Sequence, residues 1–331
     1  MTDLPLPPPL PRPVGIHGNE SYLNFEFSFN TLPMTLLLLP LLYMPITLLI
    51  ILRICVKLAF AMKEKYINVH LFLGITISIF VYLLFFFLDL IHLRLPATGM
   101  FTRWCASVKP NRYLNALYVL TFYVNYSTML FPFLVSLMRL ILIQYPQKHS
   151  KINAKVLKIG LPIIFLYPSL FTFFMIPSLG YCYQPGPPYK FGAILLMFQG
   201  TWFDLRNNYF LFANTMFWMS ASVVNNLVLF VKLILVKSSL STQLQSHKKH
   251  RAEYSLTLTT FSMMFSYVSN VMIVISAQLF PSYTYTAIMM RPFGNDLDCC
   301  IVSWVFYLTY PVFRRKSTNK VVILKNLNLN V

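Results

Sequence analysis

His247 and His250, three residues apart, are the nearest approach to a metal-ligand pair in this 331-residue chain. Lys248, Lys249 and Arg251 surround them. One histidine pair among repelling cations is poor ligand geometry for a transition metal, so neither a metal nor a cofactor is expected. The five cysteines contain no CxxC and the chain has no HExxH, which argues against a zinc site or a disulfide scaffold. A Walker loop, a GxSxG elbow and paired carboxylates are also missing from the sequence. An enzyme would have no visible nucleophile or base, and none is expected. What remains is Cys105 and Cys182, Arg139, Asp89, the sequon Asn19-Glu20-Ser21 and a set of asparagines. What each can do depends on where the surrounding elements put it.

Those elements are set by composition. Hydrophobic residues make up 57% of the chain and charged residues 11%, with a mean hydropathy of +0.61. A soluble domain carries roughly 25% charged residues, so this supply cannot build a water-facing surface. Lys and Arg total 27 against nine carboxylates, a formal charge of +18. Nucleic-acid binders place such charge on soluble modules, which this chain lacks; anionic membrane lipid is the simpler partner, and no nucleic acid is expected.

A bilayer core about 30 Å thick needs about 20 apolar residues in helical form, because each buried peptide group must bond within its own segment. Seven runs qualify: 32–52, 69–91, 113–144, 156–177, 209–231, 254–280 and 295–313. The predicted organisation is an extracellular segment over 1–31, a seven-helix bundle over 32–313 and a cytoplasmic tail over 314–331. No cleavable signal peptide is expected, since the Pro-rich, polar start delays the first apolar run to Leu32. With the amino terminus outside, 19 of the 27 Lys and Arg fall on the inner side and eight on the outer, as the positive-inside rule requires. The longest outer loop, 180–208, contains an apolar piece, Phe191 to Met197, too short to span and expected to pack over the bundle or lie at the interface. Pro40, Pro45, Pro132, Pro162, Pro168 and Pro311 fall within the predicted helices, where neighbours must satisfy the freed carbonyls.

Placed on this frame, Cys105 precedes helix three and Cys182 follows helix four, both outside. An oxidising exterior allows a bond that would pin the long loop across the bundle mouth; two free thiols are the alternative. Cys299 and Cys300 are read as packing residues, and Cys55 faces the cytoplasm. Asn19 is a reachable glycosylation site, whereas the second sequon, at Asn125, is inside helix three. Arg139, about 39 Å along helix three at 1.5 Å per residue, reaches the inner mouth. It is either a snorkelling interfacial anchor or a switch residue beneath the bundle where a cytoplasmic partner docks. Asp89 is read as the sole carboxylate near the hydrocarbon, too close to the outer end for ion-coupled transport. Asn125, Asn214, Asn225, Asn226 and Asn270 are intramembrane amides that bond helix to helix or line a ligand pocket.

Seven helices, the outer Cys105 with Cys182, and Arg139 at the inner end of helix three together resemble a G-protein-coupled receptor. More specifically, the chain is similar to nematode chemoreceptors of the serpentine receptor class U family. The resemblance covers almost the whole chain. It is carried by Ile16-His-Gly-Asn-Glu-Ser-Tyr, Arg94-Leu-Pro-Ala-Thr-Gly, Trp104-Cys105, Met138-Arg139-Leu140, Ile176-Pro-Ser-Leu-Gly-Tyr-Cys182, Ala252-Glu-Tyr-Ser-Leu-Thr-Leu-Thr and Arg291-Pro-Phe-Gly-Asn-Asp, leading to Tyr310-Pro311. It implies an all-α, GPCR-like membrane bundle at the cell membrane, on a sensory neuron, that senses an external small molecule and signals to a cytoplasmic heterotrimeric G protein. Tyr310 and Pro311 echo the helix-seven signature of rhodopsin-like receptors and, with Arg139, form the implied signalling switch. Departures from that broader pattern are Met138 where an acidic partner of Arg139 would stand, and the lack of a Trp-Pro pair in helix six. A small-solute channel or facilitator is the rival reading; it would show a polar stripe along several helices.

Overall fold

The computed structural model describes residues 15–61, 68–239, 246–310 and 313. Pro311, the 314–331 tail and residues 1–14 of the 1–31 segment lie outside these residues, as do the side chains of His247 and His250.

Seven long helices account for most of the described residues. Helix one comprises Leu32–Leu38 and Pro40–Ala61, helix two Val69–Asp89, helix three Arg112–Gln144, helix four His149–Leu166, helix five Asn207–Ser239, helix six Ser246–Ser262 and Phe265–Leu279, and helix seven Thr284–Thr309. The helix starts have local causes. Thr31 accepts from Met34 N with Pro33 in the first turn, Asn68 accepts from Leu71 N at 3.1 Å, and Asn111 accepts from Leu114 N at 3.0 Å. These side chains satisfy amides that the first helical turn leaves without partners.

Helix three is the axis. Its most apolar stretch is 72% buried, against 22% for helices one, four and five, so helix three packs on protein while those three face lipid. Leu42, Leu49, Leu166, Phe217 and Leu227 are correspondingly exposed. One core cluster runs from Phe72, Ile75 and Ile79 of helix two through Met129, Phe131 and Val135 of helix three to Val302 and Phe306 of helix seven. Pro132 lies inside helix three without ending it, and Tyr267 of helix six donates its hydroxyl to the Met129 carbonyl in the turn before the proline.

Several boundaries differ from the sequence reading. Helix seven, expected at 295–313, starts eleven residues earlier at Thr284 and ends at Thr309. Arg291, Asp296 and Asp298 disguise its outer half as a loop when hydropathy alone is read. All three are buried, so the bundle, not water, is their environment. Asp89 is therefore not the sole carboxylate at membrane depth. Pro292, not among the expected helix prolines, lies inside this helix. Helix four, expected to start at Val156, begins at His149, where Lys151, Lys155 and Lys158 lie along its inner end. Past Leu166 it continues only as the short turns Ser169–Thr172 and Phe173–Met175. Helix six is not continuous over 254–280: it breaks at Met263 and Met264. No proline is responsible. Thr259, Thr260 and Ser262 return their hydroxyls to carbonyls of their own helix, a bonding pattern that bends helices.

Helix two ends in a π turn, Leu90–Arg94, in which Leu95 N reaches back five residues to Leu90 O. The turn carries both His92 and Arg94 in buried positions. Such wide turns recur at functional sites because they re-aim side chains without ending the helix.

Candidate functional site at the outer mouth and its inner counterpart

The outer mouth is covered by an antiparallel hairpin, β1 (Leu179–Tyr183) and β2 (Leu195–Gln199), with Cys182 opposite Leu196. The apolar piece read from sequence as Phe191 to Met197 thus supplies most of β2 and packs over the bundle. Cys182 is joined to Cys105, with Cα atoms 6.0 Å apart, so β1 is tied to the entrance of helix three. Gly180 bridges to Asn111, and a Cβ on Gly180 would stand 2.3 Å from the Asn115 backbone nitrogen. Glycine is the residue this close approach permits. Residues before helix one complete the cover: Ile16 N donates to Cys182 O at 3.0 Å, and Arg103 Nε donates to Phe25 O at 2.6 Å. Burial holds the phenol pKa of Tyr183 and of Tyr189 above the ordinary value, reinforced by Tyr285 and Asp89 respectively. The cover therefore presents neutral hydroxyls.

Beneath it lie two buried arginines with opposite fates. Arg94, counted from sequence as an outer-loop cation, is fully engaged. Its Nη1 donates to Asp296 Oδ2 at 2.8 Å, its Nη2 to Asp296 Oδ1 and to Pro292 O, and its Nε to Asp89 Oδ2 at 3.3 Å. Tyr43 of helix one donates to the same Asp296 carboxylate. This cluster clamps the outer ends of helices one, two and seven. A small crevice of about 30 Å³ opens beside it, lined by Pro33, Leu36, Leu93, Arg94, Met289 and Pro292.

Arg291, 8% exposed, faces the aromatic rings of Phe85 at 5.8 Å and Phe122 at 5.6 Å. Among the described residues no carboxylate lies within ion-pairing distance of it, and its Nε and Nη2 have no hydrogen-bond partner. Tyr118 stacks near Phe122 at 4.7 Å and meets the His92 ring edge-on at 5.0 Å. Asn295 Nδ2 also makes no hydrogen bond among the described residues. Deeper in, Asp298 sits within electrostatic reach of Tyr82 and Tyr267.

At the inner end, Arg139 is 2% exposed. It donates to Thr257 Oγ1 at 2.6 Å and to Thr260 Oγ1, both on helix six. The guanidinium thus lies inside the bundle, against the threonine hydroxyls of helix six. Tyr310 ends helix seven, with its amide bonded to Phe306 O at 3.1 Å and its ring 5.9 Å from that of Phe72. Cys299 and Cys300 are buried free thiols, the latter against Thr47. Asn19 is exposed and accepts from Ser21 N. Asn125 is buried, while Asn214 meets Tyr167 between helices.

Sequence reasoning missed Arg94, His92, Arg291 and Asp296. A signal existed on helix seven: Arg291, Asn295 and Asp298 recur at i, i+4 and i+7, one face of a helix.

Seven helices around a central third, a disulfide-tied outer cover and an inner arginine held by helix six define a seven-transmembrane receptor architecture. Sequence comparison narrows the class. The family profile described as "Serpentine type 7TM GPCR chemoreceptor Sru" matches residues 16–316. Serpentine receptor class U-26 of Caenorhabditis elegans is 51% identical over 261 residues, covering 79% of this chain and 90% of that protein. The chain belongs to the Sru family of serpentine seven-transmembrane chemoreceptors, a family of receptors and not of enzymes.

Proposed function

We propose that this multi-pass receptor stands at the cell surface of a sensory neuron, binds an external small molecule under the hairpin, and signals to a cytoplasmic heterotrimeric G protein. The observation that carries this reading is the clasp of Arg139 on Thr257 and Thr260. It joins helix three to helix six at the face where a cytoplasmic partner would dock. A ligand drives signalling only if it binds the open and closed bundles with different affinity. The contacts available for that difference run from the hairpin-covered outer mouth through Tyr267, which bonds both to helix three and to Ser222 of helix five. Tyr310, packed between Phe72 and Phe306, is assigned to the same switch, together with Pro311. Asn19 is proposed to carry a glycan.

The test is Arg139→Ala in cells expressing a reporter of G-protein activation. The expected result is loss of activation with surface expression retained, because in the open bundle the guanidinium released from Thr257 and Thr260 is the group proposed to meet the G protein. Signalling equal to that of the unaltered receptor would sink the proposal. Solute flux in cells without G proteins would favour a channel instead.

A further inference from the structure

Arg291 is a buried cation whose charge no carboxylate answers among the described residues. Nearby acids are already engaged: Asp296 by Arg94 and Tyr43, and Asp89 by Arg94. Asp298 lies seven residues on, about 10.5 Å further along the helix at 1.5 Å per residue. The guanidinium carbon lies over the rings of Phe85 and Phe122, which compensates part of the charge. They leave its in-plane donors unused. The two orphaned atoms, Nε and Nη2, are the parallel pair along one edge of the fork, the edge a carboxylate bridges with two hydrogen bonds. Asn295 Nδ2, one turn along the same helix, is a third buried donor without a partner. Phe85, Phe122 and Tyr118 supply apolar walls. Native proteins rarely leave buried donors unmet, and such groups point to something that completes them.

We propose that Arg291 anchors the carboxylate of a small organic acid, whose apolar body lies against Phe85, Phe122 and Tyr118. The inference deepens the reading of the chain as a sensor of external small molecules and rests on it. A phosphate or sulfate would ask for donors around all its oxygens, whereas this edge and its aromatic walls suit a planar anion on an apolar body.

The receptor, purified into lipid nanodiscs without G protein, is titrated with hexanoate, benzoate and phenylacetate and with their three primary amides, following thermal unfolding. At least one acid is expected to raise the melting temperature, with its amide at least tenfold weaker. Arg291→Gln should abolish the preference of acid over amide, and Arg291→Lys, which keeps the charge but not the paired edge, should weaken it. Arg291→Met should raise the melting temperature of the empty receptor, because it removes an unanswered buried charge. The inference is overturned by amides that bind as well as acids, by no response to any of the three acids, by an acid preference that survives Arg291→Gln, or by an empty Arg291→Met receptor less stable than the parent. A receptor that binds an acid in nanodiscs but activates no G protein in cells would defeat the signalling proposal and leave this one standing.

Discussion

Arg139 on helix three donates to the Thr257 hydroxyl on helix six at 2.6 Å, and Thr260, one turn further along, accepts from the same guanidinium. Hydrogen bonds to a charged donor contribute on the order of 2 kcal/mol each. If separation of the inner ends of helices three and six is the signalling step, removing both hydroxyls shifts that equilibrium by roughly tenfold or more. Thr257→Val with Thr260→Val should therefore raise ligand-independent G-protein nucleotide exchange, measured at matched surface expression. Basal exchange unchanged from the parent would show that the clasp does not distinguish the two states.

The Arg94 and Asp296 pair is expected to be structural. Both groups are buried, and breaking such a pair from one side leaves an uncompensated charge, at a cost of about 3–5 kcal/mol. Asp296→Asn alone should lower the melting temperature and surface expression sharply. Arg94→Met combined with Asp296→Leu and Asp89→Asn should recover most of the loss, since all the charges of the buried cluster are then removed together. A triple variant no better than the single would mean that the ion pairs are not what carries the clamp.

How far the sequence could be read depended on the solvent each segment meets. Helices one to six declare themselves because lipid demands an unbroken apolar run, as in Val69–Asp89. Helix seven declares itself only from residue 295 onward, because its outer half faces protein on the side that bears Arg291, Asp296 and Asp298. Its charges break the run although the helix spans from Thr284 to Thr309. Cys105 and Cys182 were legible as partners once the sides were assigned. The two arginines were not: charge counting places Arg94 and Arg291 together outside, and only the π turn of helix two and the fold of helix seven reveal that one is paired and the other is left with unmet donors. The break in helix six was illegible for a different reason: no proline or glycine marks Met263 and Met264, and Thr259, Thr260 and Ser262 are common helix residues.

The Cys105–Cys182 bond closes a segment with a sequence separation of 77. Chain-entropy reasoning assigns such a closure about 4 kcal/mol against the unfolded state. Cys105→Ser, Cys182→Ser and the double variant should show the same drop in melting temperature, because each removes the same single bond. A double variant clearly less stable than either single would mean that the thiols contribute separately, without a bond.

Gly180 offers the sharpest steric test of the outer cover. A methyl group there would meet the Asn115 nitrogen at 2.3 Å and the Leu114 carbonyl carbon at 2.6 Å, both backbone atoms at the entrance of helix three. Neither can swing aside as a side chain could, so β1 must lift from the helix or helix three must shift. Overpacking of this kind costs about 1–3 kcal/mol. Gly180→Ala is expected to lower the melting temperature and weaken responses to any ligand held beneath the hairpin. Gly200, at the far end of β2, has a φ of +79°, and a Cβ added there would meet no atom within 4 Å. Gly200→Asn, a residue that tolerates the left-handed region, should therefore leave both measurements nearly unchanged. Equal effects at the two positions would mean that the hairpin is sensitive to any loss of glycine, and that its seat against helix three is not what Gly180 protects.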